Sequence, residues 1–227
     1  MLEWALNSIF DLLFPRYCFE CQKTLTCSET LFCESCRRRL PLLSPGCPVC
    51  ASPGYPHRLC KRCLAGRAFD QVVVPFRYEG PLAKAIKTFK YQGRLWLARE
   101  LVRLWKRYLC LPDHDLLLPV PLHRSRLLER GFNQSLLLAR FMSPQKTVPD
   151  LLQRIRPTHP QTTLSEKGRW ENVRRAFSLK EPGVVRNRSI LLVDDVMTTG
   201  ATVEECARVL REAGATKIVV ALLARAS

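Results

Sequence analysis

The chain has 227 residues, 36 of them basic and 20 acidic, for a net charge of +16. Its length fits one large domain, or one of about 150 residues with a smaller module attached, and 47% apolar residues are enough for a packed core, which excludes a chain without one. A field of this sign attracts nucleic acid or a small phosphorylated ligand, and charge alone does not separate the two.

The first fifteen residues, MLEWALNSIFDLLFP, carry Glu3 and Asp11 and have neither a basic leader nor a small-residue cleavage site, so they do not read as a secretory signal. They are also too short to cross a bilayer. Residues 1–16 are expected to form a helix that packs on the body, without stable membrane insertion, and the setting is expected to be a reducing cytoplasm. There, clustered thiols bind metal more readily than they form disulfides.

Cysteine follows at once. Of eleven cysteines, eight form four C-x2-C pairs before residue 64: Cys18 with Cys21, Cys33 with Cys36, Cys47 with Cys50, and Cys60 with Cys63. Each pair turns two thiolates to one side of a tight loop, and two pairs complete a tetrahedral zinc site. Four pairs imply two structural Zn²⁺ ions, in a double ribbon over residues 17–66. The intervals suit two sequential ribbons, and spacing leaves an interleaved pairing open. The run Arg37, Arg38, Arg39, with Tyr17, Phe19 and Phe32 near the knuckles, suits single-stranded DNA; the same aromatics also serve to pack around the zincs.

A second domain is expected over residues 67–227. Gln71–Tyr78 reads as its first strand, and Leu82–Leu109 as one or two amphipathic helices with a break at Gln92-Gly93. Lys84, Lys87, Lys90 and Arg94 give this segment a basic face. Asp115–Val120 (DLLLPV) is a buried strand, followed by the loop LHRSRLLERGFNQ and a helix over Ser135–Phe141. Arginine forks bind phosphate oxygens, and a glycine lets backbone approach a ligand closely.

Leu151–Ile155 reads as a third strand. Arg156–Asn172 (RPTHPQTTLSEKGRWEN) has the composition of an ordinary solvated loop or of a mobile loop that closes over a ligand through Gln161 and Arg169. The most informative stretch is Ser189–Val203, SILLVDDVMTTGATV. Ile190–Val193 is an apolar run suited to a strand buried on both faces, and the strand is expected to stop at Asp194 and Asp195. A small, hydroxyl-rich loop, Thr198, Thr199, Gly200, Ala201 and Thr202, precedes a helix expected to begin at Val203. Ligands of open α/β sheets lie outside the carboxyl ends of strands, and a helix start attracts phosphate. Carboxylates that accept sugar hydroxyls next to an anion cradle suit a phosphorylated sugar. The glycine-lysine of a nucleotide P-loop and the spaced glycines of a dinucleotide fingerprint are both absent. A phospho-accepting aspartate and a purely structural strand-turn-helix are the other readings. Lys217–Ala224 makes the last buried strand.

The stretch LLVDDVMTTGAT resembles the phosphoribosyl pyrophosphate (PRPP) signature of type I phosphoribosyltransferases. The resemblance implies that Asp194 and Asp195 take the ribose hydroxyls and that Thr198–Thr202 hold the 5-phosphate. It also implies that Arg130, Gly131, Asn133 and Gln134 take pyrophosphate, and it draws attention to Lys90 in FKYQGR. With the cysteine pairs, PVPLHRSRLLERGFNQ and RPTHPQTTLS, the chain is similar to the ComF family, in which a double zinc ribbon precedes a phosphoribosyltransferase-like domain. That implies an α/β fold, a mostly parallel sheet with helices on both faces. It also implies PRPP with Mg²⁺ as ligand and a role in DNA uptake during natural competence or in DNA utilisation. Two functions follow: pentosyl transfer from PRPP, or a non-catalytic protein that binds single-stranded DNA or docks on a competence helicase.

Overall fold

A computed structural model describes residues 15–26, 28–157 and 166–226. The expected N-terminal helix and Gln161 lie outside the described residues.

The cysteine segment folds as two copies of one motif. In each copy the first cysteine accepts an amide four residues on: Gln22 N donates to the Cys18 carbonyl at 3.0 Å, and Ala51 N to that of Cys47 at 2.8 Å. Gln22 (φ +60°) and Ala51 (φ +55°) occupy equivalent left-handed positions that close the two knuckles. In each copy the third cysteine also precedes a single helical turn, α1 (Glu34–Arg37) after Cys33 and α2 (Lys61–Leu64) after Cys60.

The rest of the chain builds a five-stranded parallel sheet around β6 (Ser189–Met197) and β7 (Lys217–Arg225). On one side of this pair lies β3 (Leu116–Pro119), and on the other β1 (Gln71–Val73) and β2 (Phe76–Arg77), both paired with β7. The register is continuous from Val73↔Ala221 to Phe76↔Ala224, so the expected strand Gln71–Tyr78 is one line of chain interrupted at Pro75, which has no N–H to give the ladder. The two nine-residue strands are buried on both faces, which is why they read as unbroken apolar runs.

One face carries α3 (Gly80–Tyr91), α4 (Trp96–Tyr108), α6 (Gln134–Met142) and the first ribbon, whose Cys18, Cys33 and Cys36 share a core with Phe76, Phe89, Trp105 and Leu191. The other carries α8 (Ala201–Glu212) and the second ribbon, whose four cysteines share a core with Phe69, Val72, Ile190 and Leu210. The ribbons therefore sit on opposite faces, and the chain between them runs along the sheet edge. Leu43 N donates to the Pro75 carbonyl and Arg77 N to that of Pro41, both at 2.8 Å, which covers backbone that an edge strand leaves unpaired.

Two sequence expectations need correction. The third strand, β4 (Leu152–Arg154), does not join the parallel sheet; it pairs antiparallel with β5 (Phe177–Leu179) in a separate ladder. Within Arg156–Asn172, the part from Glu166 onward is α7 (Glu166–Val173), a helix and not a loop.

Candidate functional site

β6 pairs with β3 only as far as Pro119↔Val193, whereas its ladder with β7 continues to Met197↔Arg225. The strand thus does not end at Val193, as its sequence suggested; it carries Asp194 and Asp195 beyond the end of one neighbour while the other still supports it. Both carboxylates stand at the carboxyl edge of the sheet.

Successive strand residues face opposite ways, and the pair divides accordingly. Asp195, buried, meets Lys90 of α3, with Nζ 2.8 Å from Oδ2. Burial opposes the charge on Lys90, but Asp195 more than offsets it and the ammonium is held above its ordinary range. Asp194, half-buried, accepts from Ser135 Oγ at 2.7 Å and from the Asp195 amide at 2.9 Å. Burial and the Asp195 charge push Asp194 up to about 7, against the opposing pull of Ser135 and Lys90. Two adjacent carboxylates are therefore inequivalent.

Thr198, Thr199 and Gly200 turn the chain from β6 into α8, which starts at Ala201, two residues earlier than its sequence pattern suggested. Gly200 caps the helix at φ +84°, and a Cβ there would lie 3.3 Å from Met197 Sδ. Thr199 Oγ1 accepts from the Ala201 amide at 3.4 Å, and Thr198 is exposed.

The arginine segment is more ordered than a loop. Arg124–Arg130 is a helix, α5, with the His123 ring accepting from the Ser125 amide at its start. Gly131 ends it at φ +81°, and a Cβ added there would meet no atom within 4 Å, so the backbone turn and not close packing requires glycine. Asn133 caps α6, accepting from the Ser135 and Leu136 amides and donating Nδ2 to the Val120 carbonyl at 3.1 Å. Arg130 donates to Gln134 Oε1 at 2.7 Å and lies over the Tyr91 ring at 5.2 Å.

The last turn of α3 thus touches both segments, the acidic pair through Lys90 and the arginine turn through Tyr91. Ser135 joins α6 to Asp194. Neither Ser135 nor Tyr91 stands out in the sequence; the only signal for Ser135 is a hydroxyl two residues past a strong N-cap. Arg169 lies on α7 and lines a cleft with Thr198, Thr199 and Gly200.

The cysteines form two groups, Cys18/Cys21/Cys33/Cys36 and Cys47/Cys50/Cys60/Cys63, with the sulfurs of each within 4.8 Å of one another. The pairing is sequential. Sulfur separations of 3.6 Å for Cys21–Cys33 and Cys50–Cys60 match the roughly 3.8 Å spacing around a tetrahedral zinc with bonds of about 2.3 Å. The Cys33 and Cys60 amides point at Cys18 and Cys47 sulfur at 3.4 and 3.5 Å, as donors that stabilise thiolate. The donor set fits zinc at both sites. Around the first, Arg37 and Arg38 bond to Glu34 and Arg39 to Cys36 Sγ, so these arginines brace the ribbon. Phe32 is buried and meets Phe19 edge-on.

A double zinc ribbon domain matches residues 9–64, and a phosphoribosyl transferase domain matches residues 142–227. The chain is 35% identical to Competence protein F of Haemophilus influenzae, over 92% of this chain and 96% of that one. It is 33% identical to DNA utilization protein YhgH of Escherichia coli K12, over 94% and 99%. It is 28% identical to Competence protein ComFC of Bacillus subtilis, over 80% and 78%. Among solved structures, the allosteric regulatory enzyme of purine biosynthesis aligns with 60% of this chain at 20% identity and a TM-score of 0.39, and the chain spans 29% of its length. The fold and the paired cysteine clusters define a double-zinc-ribbon protein with a phosphoribosyltransferase-like domain. The chain belongs to the ComF family. Among the described residues, no helix is long and apolar enough to cross a membrane.

Proposed function

We propose that the carboxyl edge of the sheet binds PRPP with Mg²⁺ and transfers its pentosyl group to an acceptor, in the service of DNA uptake or DNA utilisation. The reading rests above all on one observation: an acidic pair beyond the end of β3 is followed by a glycine-capped helix start. A carboxylate pair and a helix N-terminus are complementary to the two ends of a sugar phosphate. Asp195, paired with Lys90, accepts a ribose hydroxyl. Asp194, oriented by Ser135, takes the other. The turn from Thr198 to Thr202 holds the 5-phosphate, and Arg130, set by Gln134 and Tyr91, draws the pyrophosphate away from the anomeric carbon.

Carboxylates and substrate phosphates are the ordinary ligands of Mg²⁺, which when bound neutralises charge on the leaving pyrophosphate. The chain contributes positioning and leaving-group stabilisation. The relatives named for competence and DNA utilisation support the biological setting, and single-stranded DNA or a competence helicase would be the macromolecular partners there. Incubating zinc-loaded protein with PRPP, Mg²⁺ and a panel of bases and oligonucleotides tests the transfer. Pyrophosphate release with at least one acceptor is expected, and its absence across the panel would contradict the reaction.

A further inference from the structure

A cleft of about 660 Å³ opens between the turn Thr198–Gly200 and the second ribbon, and neither aspartate of the acidic pair lines it. Its volume is that of a site for a whole small molecule, several times what one phosphate fills. Lys61, Arg62, Arg67, Arg169 and Arg225 line it, with no carboxylate among the described lining residues.

Two of these arginines are buried and incompletely bonded. Arg225 ends β7 beside Met197 and is 8% exposed; its Nη1 donates to the Cys50 carbonyl at 2.9 Å, while its Nε has no partner. The Arg67 side chain is also 8% exposed; it pairs with Glu204 at 3.2 Å through Nη1, and its Nε has no partner. A buried guanidinium N–H without an acceptor costs free energy. Zinc in the second ribbon would leave its four thiolates with a net charge of about −2, which offsets part of the cleft's charge without giving either Nε an acceptor. Five cationic side chains around an open cleft that adjoins a helix start, two of them nearly buried guanidinium groups, favour an anion there.

We propose that this cleft is a second phosphate subsite, continuous with the turn Thr198–Thr202, so that besides PRPP the site also takes a pentose bearing two consecutive phosphates at C5. This rests on the reading of that turn as the 5-phosphate cradle. The first phosphate sits at the turn and the second at Arg225 and Arg67. Whatever is esterified to the second phosphate extends toward Tyr55, which also lines the cleft. The second ribbon is then part of the ligand site as well as part of the fold.

ADP-ribose, which carries a free ribose on a 5-diphosphate, separates the subsites when titrated against ribose 5-phosphate with zinc-loaded protein. We expect ADP-ribose to bind at least about tenfold more tightly, the scale of one charge-assisted hydrogen bond. Arg225→Gln should abolish that advantage while leaving ribose 5-phosphate unchanged. Arg62→Glu, at an exposed position lining the cleft, should reduce it. Equal affinities in the parent, or an advantage that survives both substitutions, would overturn the proposal. If ribose 5-phosphate fails to bind at all, the turn is not the cradle. Inorganic pyrophosphate, titrated into protein carrying Arg130→Gln so that the arginine turn is weakened as a competing site, then decides the subsite alone: binding lost on adding Arg225→Gln and kept on adding Asp195→Asn supports it, and any other pattern overturns it.

Discussion

Lys90 Nζ lies 2.8 Å from Asp195 Oδ2, and the two side chains are 15% and 4% exposed. Removing one partner of such a pair leaves a buried charge uncompensated. Lys90→Met should destabilise the protein by about 3 kcal/mol, read as a lower urea midpoint with an unchanged slope. Adding Asp195→Asn should restore more than half of the loss. Additive losses in the double variant would mean that the two residues do not act as a pair.

Asp194 sets a pH dependence of opposite sign to that of an ordinary paired carboxylate. Its folded value, pushed up to about 7 by burial and the Asp195 charge, lies above the usual 3.8, so the folded state holds this proton more tightly than the unfolded chain does. Its contribution is complete below about pH 4 and is lost as the pH rises to about 7. Asp194→Asn stays neutral throughout. Thermal unfolding should show the variant equal to the parent near pH 4 and more stable near pH 8, by about 2–4 °C per kcal/mol relieved. A variant less stable than the parent near pH 8 would contradict the raised value.

Two glycines at helix ends should differ in what they tolerate. Gly131 and Gly200 both have left-handed backbone, which costs a residue with a Cβ about 1–2 kcal/mol. Only at Gly200 does the Cβ also meet a neighbour, Met197 Sδ at 3.3 Å. Gly200→Ala should therefore lower stability more than Gly131→Ala, and Met197→Ala should narrow the gap between them.

Much of this is legible in the residues, and the gaps have physical causes. Apolar runs reveal β3, β6 and β7 because strands buried on both faces need no polar alternation. The four C-x2-C pairs announce two metal sites, while their pairing has to come from the fold, since spacing does not fix which knuckles meet. The end of β6 is hidden because two aspartates look like the end of a strand; β7 keeps that stretch paired through Met197. The arginine segment reads as a loop, yet one helical turn more or less is decided by caps such as His123 and Asn133, which sequence marks only weakly. Arg225 does not stand out as a site residue, although its place at the carboxyl end of an apolar strand is the kind of position that serves ligands.

The two ribbons should release zinc unequally. Cys21 is exposed, whereas all four ligands of the second group are buried. Metal analysis is expected to give two zinc ions per chain, and a chromogenic chelator should remove one quickly and the other slowly. Cys21→Ser should remove the fast phase alone. Release in a single phase from the parent protein would contradict this order.

The most direct test of the PRPP site is calorimetric titration of PRPP into the zinc-loaded protein in the presence of Mg²⁺, alongside Asp194→Asn and Asp195→Asn. One PRPP per chain is expected, with a loss of affinity of roughly tenfold to a hundredfold in Asp195→Asn, the range for a hydrogen bond to a charged group. Absence of binding, or equal affinity in the parent and both variants, would contradict it.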